Sequence, residues 1–463
     1  MTDRFISFVN DIKKKSTPNG IASYAQKVED ADYYNLISSL QHSETSYFLI
    51  EKPVSNYRLI GWDKIISVKH SGKERILTSE SEILKIAVDF VSNWDDFSGI
   101  IFPLFLGGIK FHPDNKLADD VWTDFNDSEW FIPNTIFYKY ESDTYLLFNF
   151  YYNAPTSDII SQFENATETF YQYAKANKRN GSTSPLLKNG ENSEDYTAWE
   201  KNIKSALEII QNNDAEKIVL SRRVEYDLTS SPELSDLIKS LAENYPACHT
   251  FAFRQNESIF FGSSPERLAS FSKGWVEADA LAGSISRGVT EEQDIALANT
   301  LLESQKNINE QKAVVDFIAK SFESFTENIQ YDLYPQIRKL PNIQHLWTPI
   351  RAKLKDEKSV FSLLKEIHPT PAICGVPWNK ALSFITHAES HRRGLYAGIV
   401  GWFNFDNEGE FIVALRSGLL KNDRLYAFAG CGIVQGSDPE AEYKESELKL
   451  KPILSLFQNA KKG

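Results

Sequence analysis

The sequence predicts an α+β fold in which large antiparallel sheets are flanked by helices. Three observations predict it. The second half alternates helix-like and strand-like segments. Its last strands, Leu395–Phe403, Glu410–Leu419 and Arg424–Ala429, follow one another with short links. Such links force antiparallel pairing, because a parallel partner needs a long crossover. The first half adds a hairpin, with Thr135–Tyr140 and Thr144–Tyr152 either side of a turn at Glu141–Thr144.

The elements follow in order. Residues 1–175 are strand-rich, with further short runs at Ser46–Ile50 and Ile100–Leu106, and they carry no catalytic motif and no fixed-period repeat. Residues 176–197 are polar and rich in Asn, Ser and Gly, so they read as a loop or linker. Residues 198–460 hold the motifs. Tyr196–Asn212 is an amphipathic helix, Lys217–Tyr226 a strand and Pro232–Asn244 a helix. His249–Arg254 and Ser258–Gly262 pair as strands. Thr290 and Gln293 form a capping box that opens one helix to about Phe325. Ser437, with Glu440 three residues on, caps the last helix. Pro439 falls in its first turn, where a missing N–H costs nothing.

Bulk composition bounds the function. A chain of 463 residues with 42% hydrophobic content can bury a large core. A net charge of −13 excludes a non-specific nucleic-acid binder. No apolar run spans a membrane and the N-terminus lacks a signal-peptide core. Cys248, Cys374 and Cys431 follow no metal-ligand or disulfide pattern. A cytoplasmic protein without nucleic-acid or membrane partners is expected, as a monomer or weak homodimer.

The candidate chemistry lies in seven places. Residues 430–445, GCGIVQGSDPEAEYKE, join a glycine-rich turn to a helix with Glu442 and Glu445 one turn apart and Lys449 a turn further. Two carboxylates on one face suit a hard metal ion; an acidic helix start favoured by the dipole is the equal alternative. Lys217 points away from Ile218 and Leu220, into a pocket as a general base or into solvent. Glu266 follows a Phe-Phe strand in GSSPERL, where burial would make it a general acid; the alternative is an exposed turn. Gly283 and Ser284 lie in LAGSISRG, whose small residues admit a ligand. His368 opens the rigid HPTPAICGVP, read as a turn with a core histidine. Glu303 and Glu310 share a helix face, solvated by default. Arg416 interrupts an apolar strand, either clamping a carboxylate or closing an internal ion pair.

Together and in this order, EKIVLSR, FFGSSPERL, LAGSISRG, HPTPAICGVP, LYAGIVGW and AGCGIVQGSDPEAEYKE resemble the chorismate-utilising enzymes. That family includes isochorismate synthase, salicylate synthase and the large subunits of anthranilate and aminodeoxychorismate synthases. The resemblance covers about residues 195–456 and implies the fold of anthranilate synthase component I, with residues 1–175 completing the same domain. It implies chorismate as substrate and Mg2+ as cofactor, held by Glu310 and Glu445 with Glu442 in support. It places Arg416 on the substrate side-chain carboxylate, near Tyr396 and Gly432. Gly283 and Ser284 border the ring, and His368 and Lys449 complete the binding set. Ammonia-using members resemble one another in carrying glutamine where this chain has Lys217. Lysine suits water, which must lose a proton to attack. The resemblance thus implies Lys217 as base and Glu266 as acid in an isochorismate synthase of the menaquinone-pathway type, with no glutamine amidotransferase partner. Salicylate synthase is the alternative, ahead of the aminating members and a non-catalytic chorismate-binding protein. The chain departs from the family in Cys431, where alanine is usual, in Ser284, where threonine is commoner, and in the uncharged Asn307–Asn309.

Overall fold

The computed structural model describes residues 2–14, 20–113, 121–176, 187, 196–355 and 359–457. Most of the 176–197 segment expected as a linker lies outside these residues, as do 458–460; Tyr196 and Thr197 open the helix Tyr196–Gln211. The strands form one continuous sheet in which every pairing but one among the described residues is antiparallel. The exception is a two-residue parallel contact between Ile21–Lys27 and Val91–Ser92.

The sheet has two wings. In one, Lys217–Asp227 pairs with Arg424–Val434, which pairs with Ser417–Lys421. Ser258–Ser264 and His249–Gln255 carry it on to Tyr47–Lys52 of the first half. In the other, Phe105–Ile109 joins Ile399–Phe403, followed by Gly409–Val413, Arg267–Ser272, Trp275–Ser286 and Ile343–Leu354. Tyr57–His70 and Ser128–Tyr140 link the wings. The alternation of apolar residues on these strands closes a core in which the Trp130, Phe361, Phe403 and Phe411 rings meet mostly edge to face. Burial of such rings is the main drive for closure.

Local chemistry moves several expected boundaries. The single helix from Thr290 to Phe325 is two helices, Glu291–Glu303 and Gln305–Glu323. Ser304 adopts an extended conformation between them and caps the second, accepting from the Asn307 N–H. Glu303 therefore closes one helix and Glu310 sits on the next, so they do not share a face. Thr290 does cap the first helix, accepting from Gln293 N–H. The last helix, Pro439–Leu454, is capped by Asp438 rather than Ser437. Asp438 accepts from Ala441 N–H, while Ser437 Oγ accepts from Val434 N–H in the preceding turn. The expected strand Glu410–Leu419 is two strands, Gly409–Val413 and Ser417–Lys421. Arg416 forms the break with φ at 49°, in the left-handed region.

Candidate active site

One cavity of about 220 Å3 gathers most of the candidate residues. Its floor is the pairing of Lys217–Asp227 with Arg424–Val434, in which Val219 stands opposite Gly432. Gly432 is required there: a Cβ would lie 2.6 Å from Lys217 Cε and 3.3 Å from Glu310 Oε1. Its bare backbone lets Lys217 lie across the strand to Glu310. Lys217 is 4% exposed and its Nζ donates to Glu310 Oε1 at 2.7 Å. Burial alone would raise the Glu310 pKa, but the Lys217 charge and hydrogen bond hold this carboxyl below its ordinary value.

The last helix supplies the acidic end. Glu442, Glu445 and the Cys431 thiol have potential ligand atoms within 4.8 Å of one another. Lys449 Nζ bonds Glu445 Oε1 at 2.7 Å and Gly430 O at 3.0 Å, and Lys306 Nζ lies 3.6 Å from Glu442 Oε1. Burial, and then the neighbouring Glu445, push the Glu442 carboxyl up. Like charges held close in this way suit a cation between them. Cys431 is held as a thiol by its surroundings. It donates to Glu442 O at 3.1 Å, and burial holds the thiol well above its ordinary range. Glu442 and Glu445 offer hard oxygen donors, the type that suits Mg2+.

Glu266 stands on the cavity wall, 3% exposed. Burial, and then Asp279, push its carboxyl up to about 8, against the lowering by Lys217, Arg338 and Lys449. It is a protonated, proton-donating carboxyl near neutrality. Arg416 also lines the cavity. It is buried, its left-handed backbone turns it out of the sheet, and no carboxylate among the described residues stands within ion-pair distance. Burial lowers its pKa, as expected of a guanidinium awaiting an anion. Gly283, at φ 73°, makes a bulge between Ala282 and Ser284 that turns this strand toward the cavity.

The chorismate binding enzyme family matches residues 7–458, almost the whole chain. The chain belongs to this family. It is 29% identical over 452 residues to isochorismate synthase MenF of Bacillus subtilis, covering 94% of this chain and 93% of that relative. It is 29% identical over 430 residues to the salicylate biosynthesis isochorismate synthase of Pseudomonas aeruginosa, covering 92% and 87%. Among solved structures, the menaquinone-specific isochorismate synthase MenF of Escherichia coli superposes with a TM-score of 0.79 at 22% identity, over 98% of this chain and 100% of that one. Anthranilate synthase component I of Streptococcus pneumoniae gives 0.73 at 20% identity, over 88% and 93%. The chain has the chorismate-binding fold.

Within this chorismate binding enzyme, the cavity brings together Glu266, Gly283, Ser284, Glu310, Tyr396, Arg416, Gly432, Glu442, Glu445 and Lys449. Lys217 reaches it through Glu310. His368 does not line it. Its Nε2 bonds Ala397 O at 2.9 Å, so it supports the wall behind Tyr396. Sequence reasoning missed four lining residues with polar or charged side chains: Lys306, Asn307, His345 and Arg393. A histidine in the apolar run IQHLW was the available signal for His345. Its Nδ1 meets Ser284 Oγ at 3.0 Å, and burial, followed by Arg416 and Lys449, keeps the ring neutral. No local pattern marks Arg393, whose role depends on distant backbone.

Proposed function

We propose that this chain is an isochorismate synthase, an isomerase that converts chorismate to isochorismate with Mg2+. The observation that carries this reading is one cavity with a buried protonated carboxyl, Glu266, on its wall and a buried lysine, Lys217, joined to it through Glu310. The relatives named isochorismate synthase over nearly the full chain support it. Glu310 and Glu445, with Glu442 beside them, are the residues that would hold Mg2+. When bound, the ion neutralises a carboxylate of the substrate.

The rest is done by the chain's own groups. Arg416 holds the other carboxylate with charge-assisted hydrogen bonds. Tyr396 keeps its hydroxyl proton, because burial pushes it up to about 12, and so acts as a donor in the same wall. Lys217, in the neutral form left once its ammonium proton has passed to solvent, takes a proton from water as the water oxygen attacks C2. Glu266 gives its proton to the C4 hydroxyl, which leaves as water. One water enters and one departs, so the product is an isomer. Ammonia would need no such base, and the reading requires no amidotransferase partner. A cytoplasmic location goes with it, supported by three buried free cysteines. A monomer or weak homodimer suffices, since one chain supplies every group named.

The test is incubation of the purified protein with chorismate and Mg2+, without ammonia or glutamine, followed by chromatography. Isochorismate alone, abolished by EDTA, is the expected result. Salicylate with pyruvate would move the reading to a salicylate synthase. Turnover only on addition of ammonia would overturn the role given to Lys217.

A further inference from the structure

Glu266 can give a proton only if its surroundings leave it uncharged, so the charges around it decide its use. Around the cavity, Lys217 is paired with Glu310, Lys449 with Glu445, Lys306 with Glu442 and Arg393 with Glu389. Each of these cations has its carboxylate, and Arg416 is left for the substrate. The other charges that bear on Glu266 come from the sheet that carries it. They are Arg267, the next residue in the chain, Asp279 and Arg338.

Asp279 lies on the strand Trp275–Ser286, two residues before Leu281 and therefore on the same face. Leu281 lines the cavity and stands opposite Trp347. His345, on that face as well, also lines the cavity and stands opposite Arg338 on the next strand. Asp279 and Arg338 thus share the face that continues into the site.

Asp279 is 5% exposed and bonded only to donors. Its Oδ2 accepts from Arg338 Nη1 at 3.1 Å, and its Oδ1 accepts from Trp347 Nε1 at 2.9 Å and Arg267 Nη2 at 3.5 Å. Burial alone would raise this carboxyl, but the two arginines outweigh it and hold Asp279 as an anion. Arg267 has a second carboxylate, Glu277, at 3.2 Å. Arg338 does not: among the described residues, Asp279 is the carboxylate within ion-pair distance of it. The Trp347 ring, 5.4 Å from the Arg338 guanidinium, confines that group further. Without the Asp279 charge, Arg338 would be an unbalanced cation whose field reaches a buried carboxyl, and such a cation favours the ionised form.

We propose that Asp279 is a positioning residue for the acid: fixed by Arg267 and Trp347, it binds Arg338 and so keeps that guanidinium from drawing the proton off Glu266. The proposal deepens the reading of Glu266 as the proton donor and rests on it for any effect on turnover. It gives the site a carboxylate that works without touching substrate.

The test follows the protonated carboxyl band of Glu266 by infrared difference spectroscopy in the whole chain, as pH is raised through about 8. Glu266→Gln identifies the band. Asp279→Asn, Arg338→Met and the double variant are compared with wild type. Asp279→Asn should move the midpoint down by ~1 pH unit or more, Arg338→Met should move it up, and the double variant should fall between them. The alkaline limb of kcat should move with the midpoint, and turnover of Asp279→Asn should recover toward wild type as pH falls. An unmoved midpoint in Asp279→Asn would overturn the proposal. So would a loss of turnover equal at every pH, which is what a merely structural aspartate gives. If melting curves show that Asp279→Asn does not fold, Arg338→Met decides: an upward shift supports the proposal and an unmoved midpoint overturns it. A midpoint that shifts as expected while kcat shows no alkaline limb in wild type would take the acid role from Glu266 and leave the hold of Asp279 upon it standing.

Discussion

Two buried ion pairs lie close together in this protein and differ in one respect. Arg393 and Glu389, each with a side chain 3% exposed, are hydrogen-bonded to one another and to fixed backbone, although Arg393 reaches a cavity wall. Arg393 donates to both oxygens of Glu389, to Ile373 O at 2.8 Å and to Val219 O at 2.7 Å. Glu389 Oε1 also accepts from Ser221 N–H at 2.7 Å. The pair ties the Glu389–Gly394 loop to the strand Lys217–Asp227, at Val219, two residues from Lys217. Glu310, in contrast, is satisfied by Lys217 on one side only and faces the open cavity on the other. Saturation marks a group that holds the fold, while an incompletely satisfied charge at a cavity marks one kept for chemistry.

The sharpest way to break that contrast is to remove the working groups. Lys217→Ala and Glu266→Gln should each lower kcat by ~10²–10⁴-fold, the usual worth of a proton-transfer group. Near-wild-type turnover in both would sink the assignment. The closed pair should respond in the other currency. Arg393→Leu leaves Glu389 buried and unpaired, and should cost about 3–5 kcal/mol in denaturant unfolding. Lys217→Ala should cost less, because Glu310 keeps an open face on the cavity and the nearby Lys449 and Lys306 charges. Equal losses from the two substitutions would erase the distinction drawn here.

Smaller effects refine it. Arg416→Met should raise KM for chorismate by ~10–100-fold, the worth of a hydrogen bond to a charged group, with kcat less affected. An unchanged KM would return Arg416 to a structural role. The pH profile should then report Glu266. Its folded pKa, about 8, lies above the ordinary carboxyl value, so the acid form is present below about 8. Turnover should fall by roughly tenfold per pH unit above that point, and the limb should disappear in Glu266→Gln. The same sign governs stability: the contribution of a raised carboxyl is complete below its unfolded pKa and is lost as pH rises through about 8. Chemical unfolding from pH 4.5 to about 8, the interval between the ordinary and the raised carboxyl value, checks it. A flat profile would mean that Glu266 is not the titrating acid.

Much of this was legible before any coordinates. Alternation along EKIVLSR placed Lys217 opposite Ile218 and Leu220, and the short links of the last strands required antiparallel pairing. Thr290 and Pro439 fall at helix starts because capping and ring chemistry are local. Errors arose where local rules compete. Ser304 and Ser437 read as a mid-helix residue and a cap, yet in the structure each hydroxyl satisfies the nearest orphan N–H, which breaks one helix and shifts the other cap.

By itself, then, the sequence determined the strand and helix inventory, the carboxylates at one helix start, and the residue types that a proton-transferring site needs. Those depend on periodicity and on neighbours within a turn. Only the tertiary structure decided that Arg416 leaves the sheet in a left-handed kink, that His368 props a wall rather than facing the cavity, and that His345 and Asn307 join the site. It also decided which of two buried ion pairs is closed and which is open. That distinction rests on backbone carbonyls brought from more than a hundred residues away, as Val219 O is to Arg393. No local spacing encodes such a contact, because it exists only once the whole sheet has closed.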